Sequence, residues 1–167
     1  PEPLPARPPL AQCTISVVLP VYNEAEVLAN LCKQVHCALK DLGAEREIIF
    51  VNDGSRDASP QILDQLAKKY PEVRVVHFSR NFGHHYALAA GLDYARGDRV
   101  VTMDSDLQDQ PEEIPKLAAK LEEGYDLVYA ERLSRRHSFV KRTSSALFMR
   151  LMRYLADVPH PITGAVF

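Results

Sequence analysis

The chain of 167 residues is 46% hydrophobic and 25% charged, with 20 Lys+Arg against 22 Asp+Glu for a formal charge of −2. This composition excludes the disordered and fibrous classes and supports one domain that buries roughly 70% of its unfolded surface. A dedicated nucleic-acid binder would carry a basic field that this charge balance lacks, so no nucleic-acid partner is expected.

Cys13, Cys32 and Cys37 match neither C-x-x-C nor a zinc spacing and read as reduced thiols of an intracellular protein. No apolar run approaches the ~18–20 residues of a membrane span and no secretory h-region is present, so the chain reads as soluble and cytosolic. Residues 1–13 hold Pro1, Pro3, Pro5, Pro8 and Pro9 and read as an extended leader without packed structure, while 14–167 read as a single catalytic domain.

From Thr14 onward, short β-branched runs alternate with amphipathic stretches, which predicts an α/β fold with a mostly parallel central sheet flanked by helices. Ile15 to Val21 is the first strand, its continuous apolar character suiting a strand covered on both faces. Val27, Leu28, Leu31, Val35, Ala38 and Leu39 recur at helical spacing and predict a helix over Glu24 to Lys40. Glu47 to Val51 is the second strand. Ser59 reads as an N-cap before Pro60, opening a helix that ends before Pro71. Val73 to Phe78 is the third strand, Gly83 to Arg96 a helix of small residues with Gly97 as its stop, and Arg99 to Met103 the fourth strand. Pro111 to Glu123 reads as a helix stopped by Gly124, Asp126 to Ala130 as a short strand, and Phe139 to Ala156 as a basic amphipathic helix.

Ligands of open α/β sheets bind beyond the carboxyl ends of the strands. Three polar segments follow strands here: Pro20-Val21-Tyr22-Asn23-Glu24, Asn52-Asp53-Gly54-Ser55, and Asp104-Ser105-Asp106-Leu107-Gln108-Asp109. All three fall along one sheet edge, within reach of a single ligand. The carboxylates of the third, with the Gln108 amide oxygen, are hard ligands suited to Mg²⁺ or Mn²⁺ with positions left for phosphate oxygens. The competing reading is an acidic helix-capping turn before Pro111, with Asp109 or Gln110 as the cap.

These segments, together with Val51-Asn52-Asp53-Gly54-Ser55-Arg56-Asp57, Ser79-Arg80-Asn81-Phe82-Gly83, Ala90-Gly91-Leu92 and Ala95-Arg96-Gly97-Asp98, resemble the glycosyltransferases of family 2. Within that family the chain is most similar to the polyprenyl-phosphate branch, which includes dolichol-phosphate mannose synthase and bacterial undecaprenyl-phosphate sugar transferases. The resemblance runs from Ile15 to Phe167 with five blocks in order. It implies a GT-A type fold, inverting transfer and a divalent metal, with Asp104, Asp106 and Arg132 in catalytic positions. Pro20, Tyr22, Glu24, Val51 and Asp53 match its nucleoside pocket, Asp104 and Ser105 its nucleotide contacts, and Asp106 and Gln108 its metal ligands. An acceptor-only carboxylate such as Asp53 suits the imide N–H of uracil or guanine, and a UDP-sugar is favoured over GDP-mannose as donor. Asp53 also fits a plain turn, Glu24 a helix N-terminus, and Tyr22 a buried aromatic.

The sequence departs from the family at Asn81-Phe82-Gly83-His84-His85. Adjacent histidines on a helix point about 100° apart and make a poor chelate, so a solvated helix start competes with a phosphate contact. His160 likewise stands before Pro161-Ile162-Thr163-Gly164 where an Asp is frequent, and the chain reads as ending before the usual catalytic domain does.

Between Arg132 and Arg153 lie seven basic residues and no acid. With Val140, Leu147, Leu151, Tyr154 and Leu155 as an apolar stripe, the segment reads as a surface for anionic headgroups on a membrane. A solvated face or an interface helix would have the same pattern. The resemblance associates Arg132 with the donor diphosphate and the following loop, with Arg135, Arg136, Lys141 and Arg142, with the acceptor phosphate. The expected partners are therefore a nucleoside-diphosphate sugar, a polyprenyl phosphate and the cytoplasmic face of a membrane, with a homo-oligomer left open. Transfer to a saccharide hydroxyl, using a base beyond residue 167, and a non-catalytic nucleotide-sugar module remain the alternatives.

Overall fold

The computed structural model of the protein describes residues 8–40 and 42–130. The chain divides into two compact units, Pro1–Val128 and Tyr129–Phe167, and the first carries the architecture below. Four strands, β1 (Thr14–Val21), β2 (Glu45–Asn52), β3 (Val73–His77) and β4 (Arg99–Thr102), form an all-parallel sheet in the order β3-β2-β1-β4. The helices are α1 (Leu28–Lys40), α2 (Ser59–Lys69), α3 (His84–Tyr94) and α4 (Ile114–Glu122), the last preceded by a 3-10 turn over Pro111–Glu113. The sheet grows outward from β1 through β2 to β3, then returns to the other side of β1. That reversal puts a topological switch point between β1 and β4, where open α/β sheets hold their ligands.

Period-two alternation sorts β1 between two cores. Ile15, Val17, Leu19 and Val21 join Leu28, Leu31 and Val35 of α1 and Leu63 of α2 on one face, whereas Val18 packs with Ile49, Val51 and Ala87 on the α3 face. Helix α3 lies close against the sheet because it presents small residues: a Cβ on Gly91 would overlap the Val18 side chain. Burying β1 on both faces explains why its sequence is continuously apolar. All three cysteines are free. Cys13 and Cys32 sit in the first core and Cys37 is exposed, and burial pushes the Cys32 thiol up to about 11.

The strands and helices fall where periodicity places them, with five local corrections. The leader read over residues 1–13 is packed at its end, where Leu10–Gln12 form a 3-10 turn and Cys13 is buried in the first core. Helix α1 starts at Leu28, not Glu24: residues 25–27 form a turn, with Val27 N donating to Glu24 O at 3.1 Å, and the Glu24 and Ala25 amides are bonded to Ser59 Oγ (3.0 Å) and Asp57 Oδ2 (3.1 Å). Ser59 is the first helical residue of α2 and is buried; Asp57 takes the capping role by accepting the Ser59 N–H at 2.9 Å. Gly97 is required for close approach and not as a helix stop. Its N–H donates to Ser16 Oγ at 2.9 Å, and a Cβ would lie 2.7 Å from Ser16 N. Asp126–Ala130 forms no strand: Leu127 is 64% exposed, and no neighbouring strand among the described residues takes up the backbone. The helix expected over Phe139 to Ala156 lies outside the described residues.

At the opposite end of the sheet from the strand-end loops, Glu47 is buried and accepts from Ser16 Oγ (2.7 Å), Arg96 N (3.0 Å) and Arg74 Nη1 (2.5 Å). Burial pushes its carboxyl up, but the bonds from Ser16, Arg96 N–H and Arg74 outweigh that and hold it below the usual value. The folded state therefore binds this proton less tightly than the unfolded chain. The resulting stability is fully present above the ordinary Glu pKa and is lost as pH falls through the lower folded value. Glu47→Gln should flatten that acid limb and cost about 2–4 kcal/mol at neutral pH, because three donors lose a charged acceptor. Urea unfolding from pH 7 to pH 3 checks both outcomes.

Candidate active site

The three strand-end segments meet at the carboxyl edge of the sheet, and side chains pin them to one another. Ser105, 5% exposed, donates its hydroxyl to Pro20 O at 2.8 Å, fastening the acidic turn after β4 to the end of β1. On the other side of β1, Asn23 N donates to Ser55 Oγ at 3.0 Å and Arg56 N donates to Asn23 Oδ1 at 2.8 Å. Asn23 holds φ at 58°, in the left-handed region, where Asn is among the residues that tolerate it. Its amide side chain is thereby presented to the β2–α2 turn.

The acidic turn folds on its own carboxylates. Gln108 N donates to Asp106 Oδ1 at 2.9 Å and Asp104 N to Asp109 Oδ2 at 3.0 Å, with Leu107 at φ 60°. These bonds satisfy backbone donors in a segment too tightly curved for ladder pairing. Asp106 keeps its second carboxylate oxygen without a hydrogen-bond partner among the described residues. Glu24 has its pKa raised, first by burial and then by repulsion from Asp106 and Asp57. Asp57 is itself held low: desolvation raises it, but bonds from Ser59 and from Ala25 N–H prevail. Asp106 and Asp57, from two other segments, thus both bear electrostatically on Glu24.

Among the described residues no three His, Cys, Asp or Glu side chains form a metal-holding group. Mg²⁺-type sites seldom use such a cage. They take one or two protein carboxylates and complete the shell with waters and substrate phosphates. A half-committed Asp106 carboxylate beside Gln108 on an exposed turn, facing a surplus of negative charge, fits that pattern.

The residues assigned to a nucleoside pocket divide by exposure. Tyr22 is 44% exposed and Glu24 half-buried, while Pro20 and Val51 are buried. Asp53, 3% exposed, accepts from Phe82 N at 2.7 Å and Gly83 N at 3.0 Å, so it seats the segment that opens α3. Asp53→Asn would set an amide N–H₂ against one of those donors and should lower stability by about 1–3 kcal/mol in urea unfolding. His84 Nε2 stands 3.7 Å from Asp104 Oδ1 with both side chains about half exposed, so one of the adjacent histidines joins the acidic turn. Arg132, Arg135, Arg136, Lys141, Arg142 and His160 lie outside the described residues.

Sequence reasoning missed Asp57, Asn23 and Ser55 as the fasteners of this edge. It also missed a relay beneath it. Asn52 Nδ2 donates to His77 Nδ1 at 2.9 Å, leaving His77 Nε2 to donate to Asp64 Oδ1 at 3.2 Å, while Asn52 Oδ1 accepts from Ser55 N at 3.0 Å. The only available signal was the alternation that puts Asn52 and His77 on the α2 face.

The glycosyl transferase family 2 profile matches residues 16–163. The chain is 42% identical over 153 residues to the uncharacterized glycosyltransferase YkcC of Bacillus subtilis, covering 91% of this chain and 47% of that protein. It is 41% identical over 140 residues to the undecaprenyl-phosphate 4-deoxy-4-formamido-L-arabinose transferase of Klebsiella pneumoniae, covering 83% of this chain and 43% of that one. The chain therefore spans under half the length of these relatives. Among solved structures it is similar to the mannosyltransferase PcManGT of Pyrobaculum calidifontis with GDP-Man and Mn²⁺, at a TM-score of 0.50 and 25% identity over 57% of this chain and 28% of that one. It is also similar to S. aureus TarS in complex with UDP, at 0.51 and 28% over 66% and 32%. The chain therefore belongs to glycosyl transferase family 2, on a GT-A type fold.

Proposed function

We propose that the protein transfers a sugar from a nucleoside-diphosphate sugar to a polyprenyl phosphate at the cytoplasmic face of a membrane, with inversion and with bound Mg²⁺ or Mn²⁺. The observation that carries this reading is the acidic turn fastened by Ser105 to the end of β1 at the switch point, with one Asp106 carboxylate oxygen left unbonded among the described residues. The 41% identity to a transferase named for undecaprenyl phosphate supports the acceptor. A UDP-sugar is our preferred donor over GDP-mannose.

In this reading Asp106 and Gln108 hold the metal, which supplies Lewis-acid neutralisation of the leaving diphosphate. Asp104 lies beside the ribose or the metal, and Ser105 contributes to nucleotide binding through its place in the turn. Tyr22, with Pro20 and Val51 behind it, forms the wall for the base. Asp53 accepts the imide N–H with the carboxylate that also seats Phe82 and Gly83, and Glu24 belongs to the same nucleoside pocket. Arg132 meets the donor diphosphate. The acceptor phosphate is anionic near neutral pH, so its attack needs no general base from the chain.

Calorimetric titration of UDP and GDP in Mn²⁺ and in EDTA tests the donor assignment. Affinity should require the metal, and Asp53→Asn should weaken it by roughly 1–3 kcal/mol. Equal affinity in EDTA would remove the metal from the account.

Among the described residues no helix is long and apolar enough to cross a membrane. The basic segment is our candidate for membrane contact. Reversing Arg135, Arg136, Lys141 and Arg142 to Glu should weaken association with anionic vesicles by about 1 kcal/mol per residue, more so at low salt, and lower transfer while sparing donor binding. Flotation beside donor titration reads both. Unchanged flotation and transfer would reduce the segment to a solvated face.

A further inference from the structure

We propose that the cleft between the β2–α2 turn and the segment after β3 is a second binding site, taking a small phosphate-bearing anion. The cleft has a volume of about 440 Å³, within the span of small-ligand sites. Ser55 and Arg56 stand on one wall, Ser79, Arg80 and Asn81 on the other, and His77 lines it from the end of β3. No lining residue is acidic, in a chain whose formal charge is −2.

The two guanidinium groups are not spent on carboxylates. Asp57, the acid next to Arg56, gives its oxygens to Ser59 N–H and Ala25 N–H. Arg80 stacks 4.1 Å from the centre of the Phe82 ring. Neither arginine makes an ion pair among the described residues. His77 is fixed at both ring nitrogens by Asn52 and Asp64. A cleft lined by two arginines without ion pairs among the described residues, together with serine and asparagine residues and no acid, matches a phosphate, whose oxygens accept bidentate arginine bonds.

This site is distinct from the proposed donor site. Asn52 and His77 face α2, whereas Asp53 turns to the opening of α3, and none of the residues given to donor or metal lines the cleft. The phosphate could be a free anion or belong to a lipid headgroup.

The test is made on the intact protein. Inorganic phosphate is titrated with UDP and Mn²⁺ present and absent, and flotation compares vesicles of phosphatidylcholine with and without phosphatidic acid. The proposal expects Arg56→Gln/Arg80→Gln to lower phosphate affinity by about tenfold or more while UDP·Mn²⁺ binding holds. Lys68→Gln/Lys116→Gln, an equal loss of charge elsewhere, should leave phosphate affinity unchanged. Phosphate bound free of vesicles identifies a soluble ligand, and arginine-dependent flotation only with phosphatidic acid identifies a headgroup. The proposal is overturned if the arginine pair is dispensable in both arms, if the lysine pair matters equally, or if UDP displaces the phosphate. Failure of UDP to bind at all would count against the donor assignment and leave the phosphate result to be read by itself.

Discussion

Asp106→Asn should reduce sugar transfer by roughly 10²–10⁴-fold, because an amide is a poor substitute for the carboxylate proposed to hold the metal against the leaving diphosphate. The same change should leave the metal-free fold as stable as the parent or slightly more so. The Asn oxygen still accepts the Gln108 N–H, and neutralising this position removes one of the two charges that repel Glu24. Opposite signs on activity and stability are the mark of a carboxylate kept for function and not for the fold. Measuring transfer beside the metal-free melting temperature distinguishes this outcome from general damage, in which both would fall.

Gly54→Ala should cost about 3 kcal/mol or more, a large share of a typical domain's stability. The residue sits at φ +65°, and an added Cβ would overlap the Arg80 carbonyl carbon and lie 2.5 Å from Asn81 N. Both obstacles are backbone, so neither can swing aside as a side-chain tip would. Gly43 provides the control, since its φ of +66° is nearly the same but its Cβ would meet nothing within 4 Å. Gly43→Ala should therefore cost only the left-handed penalty of about 1–2 kcal/mol. The difference between the two, read by urea unfolding, isolates the close packing of the β2–α2 turn on the segment after β3. Donor affinity should fall with Gly54→Ala, because Asp53 immediately precedes the displaced residue.

Elements governed by local periodicity were legible in the sequence. The continuous apolar run of β1 announced a strand covered on both faces, and the spacing of Leu28, Leu31, Val35 and Leu39 announced the buried stripe of α1. The strand-end rule then located the polar segments without knowledge of their contacts. What stayed hidden depends on partners far apart in the chain. Ser59 looked like a cap from its neighbours, but its hydroxyl is claimed by Glu24, 35 residues earlier. Gly97 looked like a helix stop, yet the constraint comes from Ser16, 81 residues away. Glu47 carried no signal because its three donors, Ser16, Arg74 and Arg96, come from three different segments. The short apolar run within Asp126–Ala130 misled for the complementary reason: a strand is specified by its neighbour as much as by its own pattern.

The most direct test is product formation by the intact protein from radiolabelled UDP-sugars and GDP-mannose with polyprenyl phosphate in vesicles, in Mn²⁺ and in EDTA, with the lipid phase extracted and counted. The account predicts label in the lipid phase from one nucleotide class, dependent on both the metal and the lipid phosphate and lost in Asp106→Asn. Label that enters the lipid phase undiminished in EDTA, or that appears only on a saccharide hydroxyl, would contradict it.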